Sequence, residues 1–487
     1  MTDTNRVRLS GVRETTLGTT PASPRMRGFR MQGESLAYQP QMEESEEIRD
    51  DRQTVDPFKV GEKNDGGINF ELIYPMPSTL LSTVLESAFQ SSFVQTPERD
   101  NDGTADSVIT DIGTTANTLT CTTGAAFVVG HLVRLTGNAQ AANNGLFPVT
   151  TGGATSFVST ASGFVAEAVP PAASRAKVVG CQGVSGDITA TATGLASTTL
   201  NFTTLGLAVG QWIKVGGTGA AFQFATAARN DWARITAISA TALTLDNMPS
   251  AAVDAGAGKT IRIFFGDRLR NGTTEIGISL ERSFLGQAAP THIIQRGMTV
   301  DSLSLPFEKK KKIGGSLSFM GMGGGQGTVA NGSTYDAAPD PAIFQVLAGS
   351  ANVGRLAENG VQITTSNWAS SITLNIRNNM RMIEAVDAIA AVDLGSGSLD
   401  VTADLEVYFG DNVIFTKVMG GTPTNLSWRV FKNSQALVWG LPRVTPMSGN
   451  PNAGSRNSDV MLKAMMKASR DTLTGVMITL DRLEYFE

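Results

Sequence analysis

The sequence predicts a mainly β protein in which one β-rich unit occurs twice, with an all-β region inserted into the first occurrence. Three observations point there. Runs with period-two alternation of apolar and polar residues, such as GGINFELIY (66–74) and GSLDVTADLEVYF (397–409), recur between Pro and Gly breakers. Each of those two runs leads into a short segment with helical spacing. Charged residues make up only 17% of the chain, below the ~25% of an ordinary soluble domain, and Gly, Thr, Ser and Ala fill the gap. That mix favours turns, short strands and packed protein surfaces over long solvated helices.

The 487 residues allow roughly three domains of ~150 residues, and a hydrophobic content of 41% is ample for packed cores. A formal charge of −5 argues against a protein that binds nucleic acid by neutralising phosphates. Two cysteines, Cys121 and Cys181, exclude a disulfide framework and a Cys-rich zinc site; one bond between them and two buried thiols both stay open, the thiols being preferred. Arg6, Arg8 and Arg13 have no apolar run behind them, so no signal peptide is expected. No stretch approaches ~18 consecutive apolar residues, and no membrane span is expected. Synthesis and assembly in a cytoplasm-like compartment follow from these two expectations.

Residues 1–27 lack periodicity and are expected as a disordered arm, or as one that folds onto a neighbouring subunit. From Gly28 to Tyr74 the chain reads as strands. Eight of the ten residues from Glu43 to Arg52 are ionisable, which fits two readings. One is a solvated loop or a charge-protected sheet edge. The other is a set of ion pairs between subunits made by Glu46, Glu47, Arg49, Asp50 and Arg52. Ile68, Phe70, Leu72 and Tyr74 then share one strand face, and Pro75 and Pro77 end it. Ser78 is the expected N-cap of a helix to Phe89, with Leu80, Leu81, Val84, Leu85, Ala88 and Phe89 as its apolar stripe.

Past a polar linker, residues 106–262 carry little charge and contain an internal repeat. TLTCTTGAAFVVGHLVRLTG (118–137) answers TLNFTTLGLAVGQWIKVGG (199–217), so two small β modules are expected at about 108–182 and 186–262. The interrupted unit resumes near Arg270 with GISLERSF, HIIQRGM and a hairpin around the basic turn Lys309–Lys312. That turn, Lys309, Lys310, Lys311 and Lys312, reads as a solvated tip or as a contact for an acidic patch on a neighbour, ahead of a DNA contact. DPAIFQVL (340–347) suggests a short helix in a connector. In the C-terminal third, SSITLNIRNNM, GSLDVTADLEVYF, NVIFTKVM (with Asp411 as its N-cap), LSWRVFK and QALVWGLPRV repeat the order of the first unit, with Tyr408 matching Tyr74. The expected organisation is an arm (1–27), copy one (28–97 plus 266–328), the inserted region, a connector (329–354) and copy two (355–487).

No motif for catalysis emerges. His131 and His292 sit in apolar strand patterns with no metal-ligand cluster nearby. DAGAGKT (254–260) has Val253 where a phosphate loop needs Gly, and strand-like IRIFF where it needs a helix. GMGGGQG (321–327) lacks the helix and acidic residue of a dinucleotide site. Asp50 and Asp51 are too exposed to single out as an acid/base pair. No enzyme, cofactor or metal is expected. Trp212 and Trp232 fit either a sugar-binding platform or a core, the core being commoner.

At this point the charge run EESEEIRDDRQ, then GGINFELIY with its helix, resembles the N-terminal pattern of tail tube proteins from long non-contractile-tailed bacteriophages. GSLSFMGM and GSLDVTADLEVYFGDNVIFTKVM resemble that fold's core strands and helix. The resemblance implies a β-sandwich or half-barrel with a flanking helix, six units to a ring, and rings stacked into a tube that conducts DNA. It also implies tape measure, tail terminator and distal tail proteins as partners. Two copies per chain would make the ring a trimer with pseudo-six-fold symmetry; otherwise it is a hexamer. The inserted region would then hang outside the tube, so that deleting 106–262 spares assembly. A capsid or decoration protein and a carbohydrate-binding β protein are the alternatives.

Overall fold

The computed structural model describes residues 3–103, 107–160, 163–363 and 367–487; Met1 and Thr2 of the expected arm, and Asp106 at the head of the expected insertion, lie outside them. The first unit comprises β1 (Val7–Arg13), β2 (Met31–Glu34), β3 (Ala37–Glu43), β4 (Phe58–Glu71) and α1 (Leu80–Phe89). It resumes with β5 (Ile278–Phe284), β6 (Thr291–Glu308) and β7 (Gly314–Met320). The second comprises β8 (Ala369–Arg377), β9 (Asp400–Tyr408), α2 (Val413–Gly420), β10 (Thr424–Lys432), β11 (Gln435–Asn452), β12 (Met461–Ala468) and β13 (Thr479–Leu483).

Alternation decides which face each strand buries. In β9, Val401, Ala403, Leu405 and Val407 are buried while Asp400, Thr402, Asp404 and Glu406 face away; in β12, Leu462, Ala464, Met466 and Ala468 are buried. A one-residue slip would turn every one of these apolar side chains to solvent, so the register is tightly specified.

The two units share one wiring diagram. In the first, β5 pairs the N-terminal half of β6, the C-terminal half of β6 pairs β7, β7 pairs β4, and β4 pairs β2 and β3. In the second, β10, β11, β12, β9 and β8 pair in that same sequence. Three β-bulges coincide as well: Met31/Gly33 with Ala369/Ser371, Ile278/Leu280 with Thr424/Leu426, and Val300/Ser302 with Pro446/Ser448. A bulge re-aims a strand at a specific point, so three shared bulges mark one fold used twice. The helix after β4, and the one after β9, pack on the long strand of their own unit, β6 and β11. Each unit is thus an antiparallel sheet with a flanking helix.

Register corrects three expectations. The counterpart of SSITLNIRNN (β8) is β2 and β3 and not the charge run, which is the exposed turn between β3 and β4, as its solvated-loop reading has it. Gly314 pairs Glu71 as Met461 pairs Tyr408, so Glu71, not Tyr74, is the partner of Tyr408. The arm is not disordered: β1 pairs β5 along its whole length within the same chain. Locally, α1 is N-capped at Thr79, not Ser78, and α2 at Asn412, although Asp411 Oδ1 still accepts from the Val413 amide at 3.0 Å. DPAIFQVL forms a turn in which Asp340 O accepts from the Ile343 and Phe344 amides, not a helix.

One core runs through both units. The Trp428 and Trp439 indoles of the second unit stack at 6.3 Å, and Phe307 of the first stands edge-on to both, at 5.6 and 6.3 Å. The region between α1 and β5 has its own core; a ten-stranded sheet runs across both expected modules, and Ile109–Ile112, Thr118–Cys121, Thr151–Gly152 and Ser156–Val158 form a four-stranded sheet beside it. The internal repeat survives in its topology. His131–Thr136 pairs Gly145–Pro148 and Arg175–Gln182, as Trp212–Val215 pairs Trp232–Ile238 and Arg262–Phe264; Arg175–Gln182 and Arg262–Phe264 then pair each other at the seam. Sequence-wise this region interrupts the first unit, yet it packs on the second. Leu132, Val179, Trp212, Trp232 and Phe264 lie against Ala436, Val438 and Leu483.

Candidate assembly interface

Four features could serve assembly: the sheet edges, the charged hairpin, the lysine turn and the polar face of the sheet. The edges come first because the chain already contains one example of their use. The C-terminal half of β6 pairs β8 from Ser302↔Arg377 to Glu308↔Ser371, which joins unit one to unit two edge to edge. Leu303, Leu305 and Phe307 meet Ile376, Leu374 and Ile372 on the buried face of that junction. The equivalent edges at the two outer ends, on β2–β3 and on residues 445–452 of β11, carry no strand partner among the described residues. Pro40, Pro446 and Pro451 lie on those open edges, where a missing N–H discourages indiscriminate pairing. A proline does not forbid the specific junction, since Pro306 pairs Thr373 within it.

The charge run occupies the tip of the β3–β4 hairpin, where Glu46, Glu47, Arg49, Asp50 and Arg52 are all exposed. Arg49 holds Glu47 at 3.3 Å and Asp51 at 2.7 Å within the loop, which lowers the Asp51 carboxyl below its ordinary range. The lysine turn lies at the other end of β4. Lys312 reaches Glu71 of unit one at 2.6 Å and Lys309 donates to the Tyr408 hydroxyl of unit two at 2.7 Å, so the turn straddles the junction. Lys311 pairs with Glu308, while the Lys310 side chain has no ion-pair partner among the described residues.

On the face opposite the core, the same strands present small polar groups. Ser302 and Ser318 hydroxyls meet at 2.6 Å, Ser304 donates to Asn375 at 2.7 Å, and Asn375 donates to Asp404 at 3.0 Å. Lys463 pairs Glu406 at 3.3 Å and Lys467 pairs Asp400 at 3.2 Å. These two cations are therefore already matched by carboxylates.

Sequence reading did not anticipate the buried ionic seam that fastens the inserted region. Lys177 Nζ lies 2.9 Å from Glu98 and 2.8 Å from Asp267, and Arg482 lies 2.7 Å from Asp267. Arg175 pairs with Glu98, Glu484 and, at 3.1 Å, Asp100. Burial alone would raise the Asp267 carboxyl, but Lys177 and Arg482 outweigh it and hold it well below the usual carboxylate range. The only sequence signal for this seam is a set of isolated charges inside apolar strands, and nothing in the sequence says that they meet.

Asp481 ties the same two parts differently. Its Oδ2 accepts from the Trp212 amide at 3.0 Å, and burial pushes its carboxyl from 3.8 up to about 7. Between those values the folded chain keeps a proton that the unfolded chain has released, so this group's contribution to stability falls as pH rises from about 4 to about 7. An Asp481→Asn variant keeps an acceptor for Trp212 and carries no charge. Its melting temperature is expected to change less between about pH 5 and pH 8 than that of the parent chain, which differential scanning calorimetry would show.

Trp212 and Trp232 are buried in the contact with the second unit, so they form a core and not an exposed sugar platform. His131 is buried, which lowers its pKa to about 4, and its Nε2 lies 3.4 Å from Leu205 O; His292 Nδ1 lies 2.9 Å from the Ser283 hydroxyl. The GAGKT loop is folded on Asp254, whose carboxylate accepts from the Gly256 and Thr226 amides. Cys121 and Cys181 are both buried and free. Among the described residues no helix is long and apolar enough to cross a membrane.

A sequence model of the phage tail tube protein family matches the chain twice, over residues 4–273 and 247–475. No curated protein matches it. A double match fits a duplicated unit, as do the doubled strand order and the three shared bulges, although the two matches overlap at 247–273 and β5–β7 of the first unit fall within the second match. The chain belongs to the phage tail tube protein family, a structural family of the virion tail, and carries the tube unit in two copies.

Proposed function

We propose that three chains close a ring of six near-equivalent units, and that these rings stack into the tube of a long non-contractile tail, which conducts DNA during ejection. The observation that carries this reading is the junction of β6 with β8. The chain joins one unit's long strand to the next unit's edge, and among the described residues the two equivalent edges at its outer ends stay open. Because the units share register, β11 of one chain would meet β2–β3 of the next as β6 meets β8. Repeating a heterologous contact closes a ring when the rotation fits, and closure removes the exposed sheet edges.

The polar face supports the conduit reading. Ser302, Ser304, Ser318, Thr373, Asn375 and Thr402 offer short hydroxyl and amide groups, and Lys463 and Lys467 are already paired; Arg377 is an exposed cation on this wall without an ion pair among the described residues, so the wall offers few groups to hold a phosphate. The tube would form in the host cytoplasm and meet tape measure, terminator and distal tail proteins there. A non-catalytic role is the simpler reading, because the geometry that both units share is spent on strand pairing. Electron microscopy of the purified protein tests the proposal. Rings or tubes with a central channel and six similar lobes in three-fold symmetry are expected, and a monomer at high concentration would contradict it.

A further inference from the structure

We infer that the cleft between the inserted region and the first unit is a binding site for an organic phosphate, gripped by Arg27. The cleft measures about 650 Å³, within the ~300–1,000 Å³ of small-molecule sites. One wall belongs to unit one and is built from β1, the strand Arg25–Gly28 and the first turns of α1. The other belongs to the inserted region, through residues 123–125 and Arg175. A single chain forms both walls, so the inference stands apart from the ring reading.

The charges that line the cleft are matched, with one exception. Arg13 holds Glu86 at 3.0 Å, Arg25 holds Asp336 at 2.9 Å, and Arg175 holds Glu98 and, at 3.1 Å, Asp100. Arg27 has no ion pair among the described residues. Its Nη1 donates to Pro77 O at 2.9 Å, which leaves Nε and Nη2 without an acceptor there. Those two groups form one edge of the guanidinium, the edge that takes two oxygens of an anion through parallel hydrogen bonds. Burial lowers the pKa of Arg27, against the pull of Asp336. A cation that has given up water without gaining an anion is costly, and an anion in the cleft offsets that cost.

The neutral groups around Arg27 favour phosphate over carboxylate. The side chains of Ser78, Thr83, Gln95 and Thr123 line the same cleft and have no hydrogen-bond partner among the described residues. A carboxylate has only the two oxygens that the Arg27 edge takes. A phosphate keeps further oxygens for hydroxyl and amide donors. The cleft is also far larger than a bare phosphate, and its polar lining suits a hydroxylated body attached to one. A free polyol phosphate and one repeat of a polyol phosphate polymer share that chemistry.

Isothermal titration calorimetry of the full chain tests this, with glycerol 3-phosphate, poly(glycerol phosphate) and glycerol as probes. Both phosphate probes are expected to bind and glycerol is not. Equal affinity per phosphate points to the free ester, and tighter binding of the polymer points to the polymer; either supports the site. Arg27→Gln is expected to weaken binding by about ten-fold or more, with an unchanged circular dichroism spectrum. A second variant, Gln95→Ala with Thr123→Val, changes two exposed side chains and keeps the test decisive should Arg27→Gln fail to fold. Its expected loss is about five-fold or more. No binding of either phosphate probe, binding of glycerol as tight as that of its phosphate, or unchanged affinity in either folded variant would overturn the inference.

Discussion

An Asp267→Ala subunit is expected to lose about 3–5 kcal/mol of stability, a large share of the ~5–15 kcal/mol that holds a typical domain folded. The carboxylate is 3% exposed and sits between Lys177, 2% exposed, and Arg482, 1% exposed. Its removal leaves two buried cations facing each other, Arg482 without an anionic partner and Lys177 with Glu98 alone. Arg482 also donates to Pro75 O and, at 2.8 Å, to the Ser82 hydroxyl, so the disturbance reaches the start of α1. Asp267→Asn should lose nearly as much, because shape without charge leaves Arg482 unmatched and Lys177 with Glu98 alone. Chemical denaturation of the two variants and the parent chain measures this. A change below about 1 kcal/mol would mean that water enters the seam and solvates its charges.

The same seam alters what deleting 106–262 is expected to do. Sequence alone presents that region as an appendage whose loss spares assembly. In the folded chain its removal takes away Lys177, Arg175, Trp212 and Trp232, strips cover from Val438, Leu483, Tyr485 and Phe486, and leaves Asp267 facing Arg482 alone. A bare deletion would therefore uncover an apolar patch on the second unit.

What could be read in the sequence was local. Alternation in GGINFELIY and GSLDVTADLEVYF placed β4 and β9, and helical spacing after each placed α1 and α2, because those patterns depend on neighbours a few residues away. The order of strand and helix types was enough to reveal two copies. Register was not available, since pairing depends on residues far apart in the chain. Matching the two tyrosines was natural by eye, yet the ladder sets Glu71 opposite Gly314 where Tyr408 stands opposite Met461. Dense charge at Glu43–Arg52 fits a solvated loop as well as a sheet edge, and the pairing on either side makes it the turn of a hairpin. Val7–Arg13 has too little periodicity to announce a strand, and its order comes from pairing with β5, far away in the chain. For the candidate interface, the residue types of the hairpin and of the lysine turn were visible, whereas their placement at opposite ends of one strand was not.

Central to the proposed ring is the repetition of the internal β6–β8 junction between chains, by β11 and β2–β3. Shared register carries the pair Ser302↔Arg377 onto Ser448 and Gln39, both exposed and both on open edges. Directly opposed residues on neighbouring strands hold their Cβ atoms about 4.5–5.5 Å apart, within reach of a disulfide after modest adjustment. Cys121 and Cys181 are buried, so a chain carrying both Gln39→Cys and Ser448→Cys presents a new thiol pair against a quiet background. The measurement is denaturing electrophoresis of assembled material after mild oxidation. A ladder of one, two and three chains that ends at a closed trimer is predicted, with neither single substitution giving it. A ladder continuing to six chains, or assembled tubes of the doubly substituted chain without any cross-link between positions 39 and 448, would contradict it.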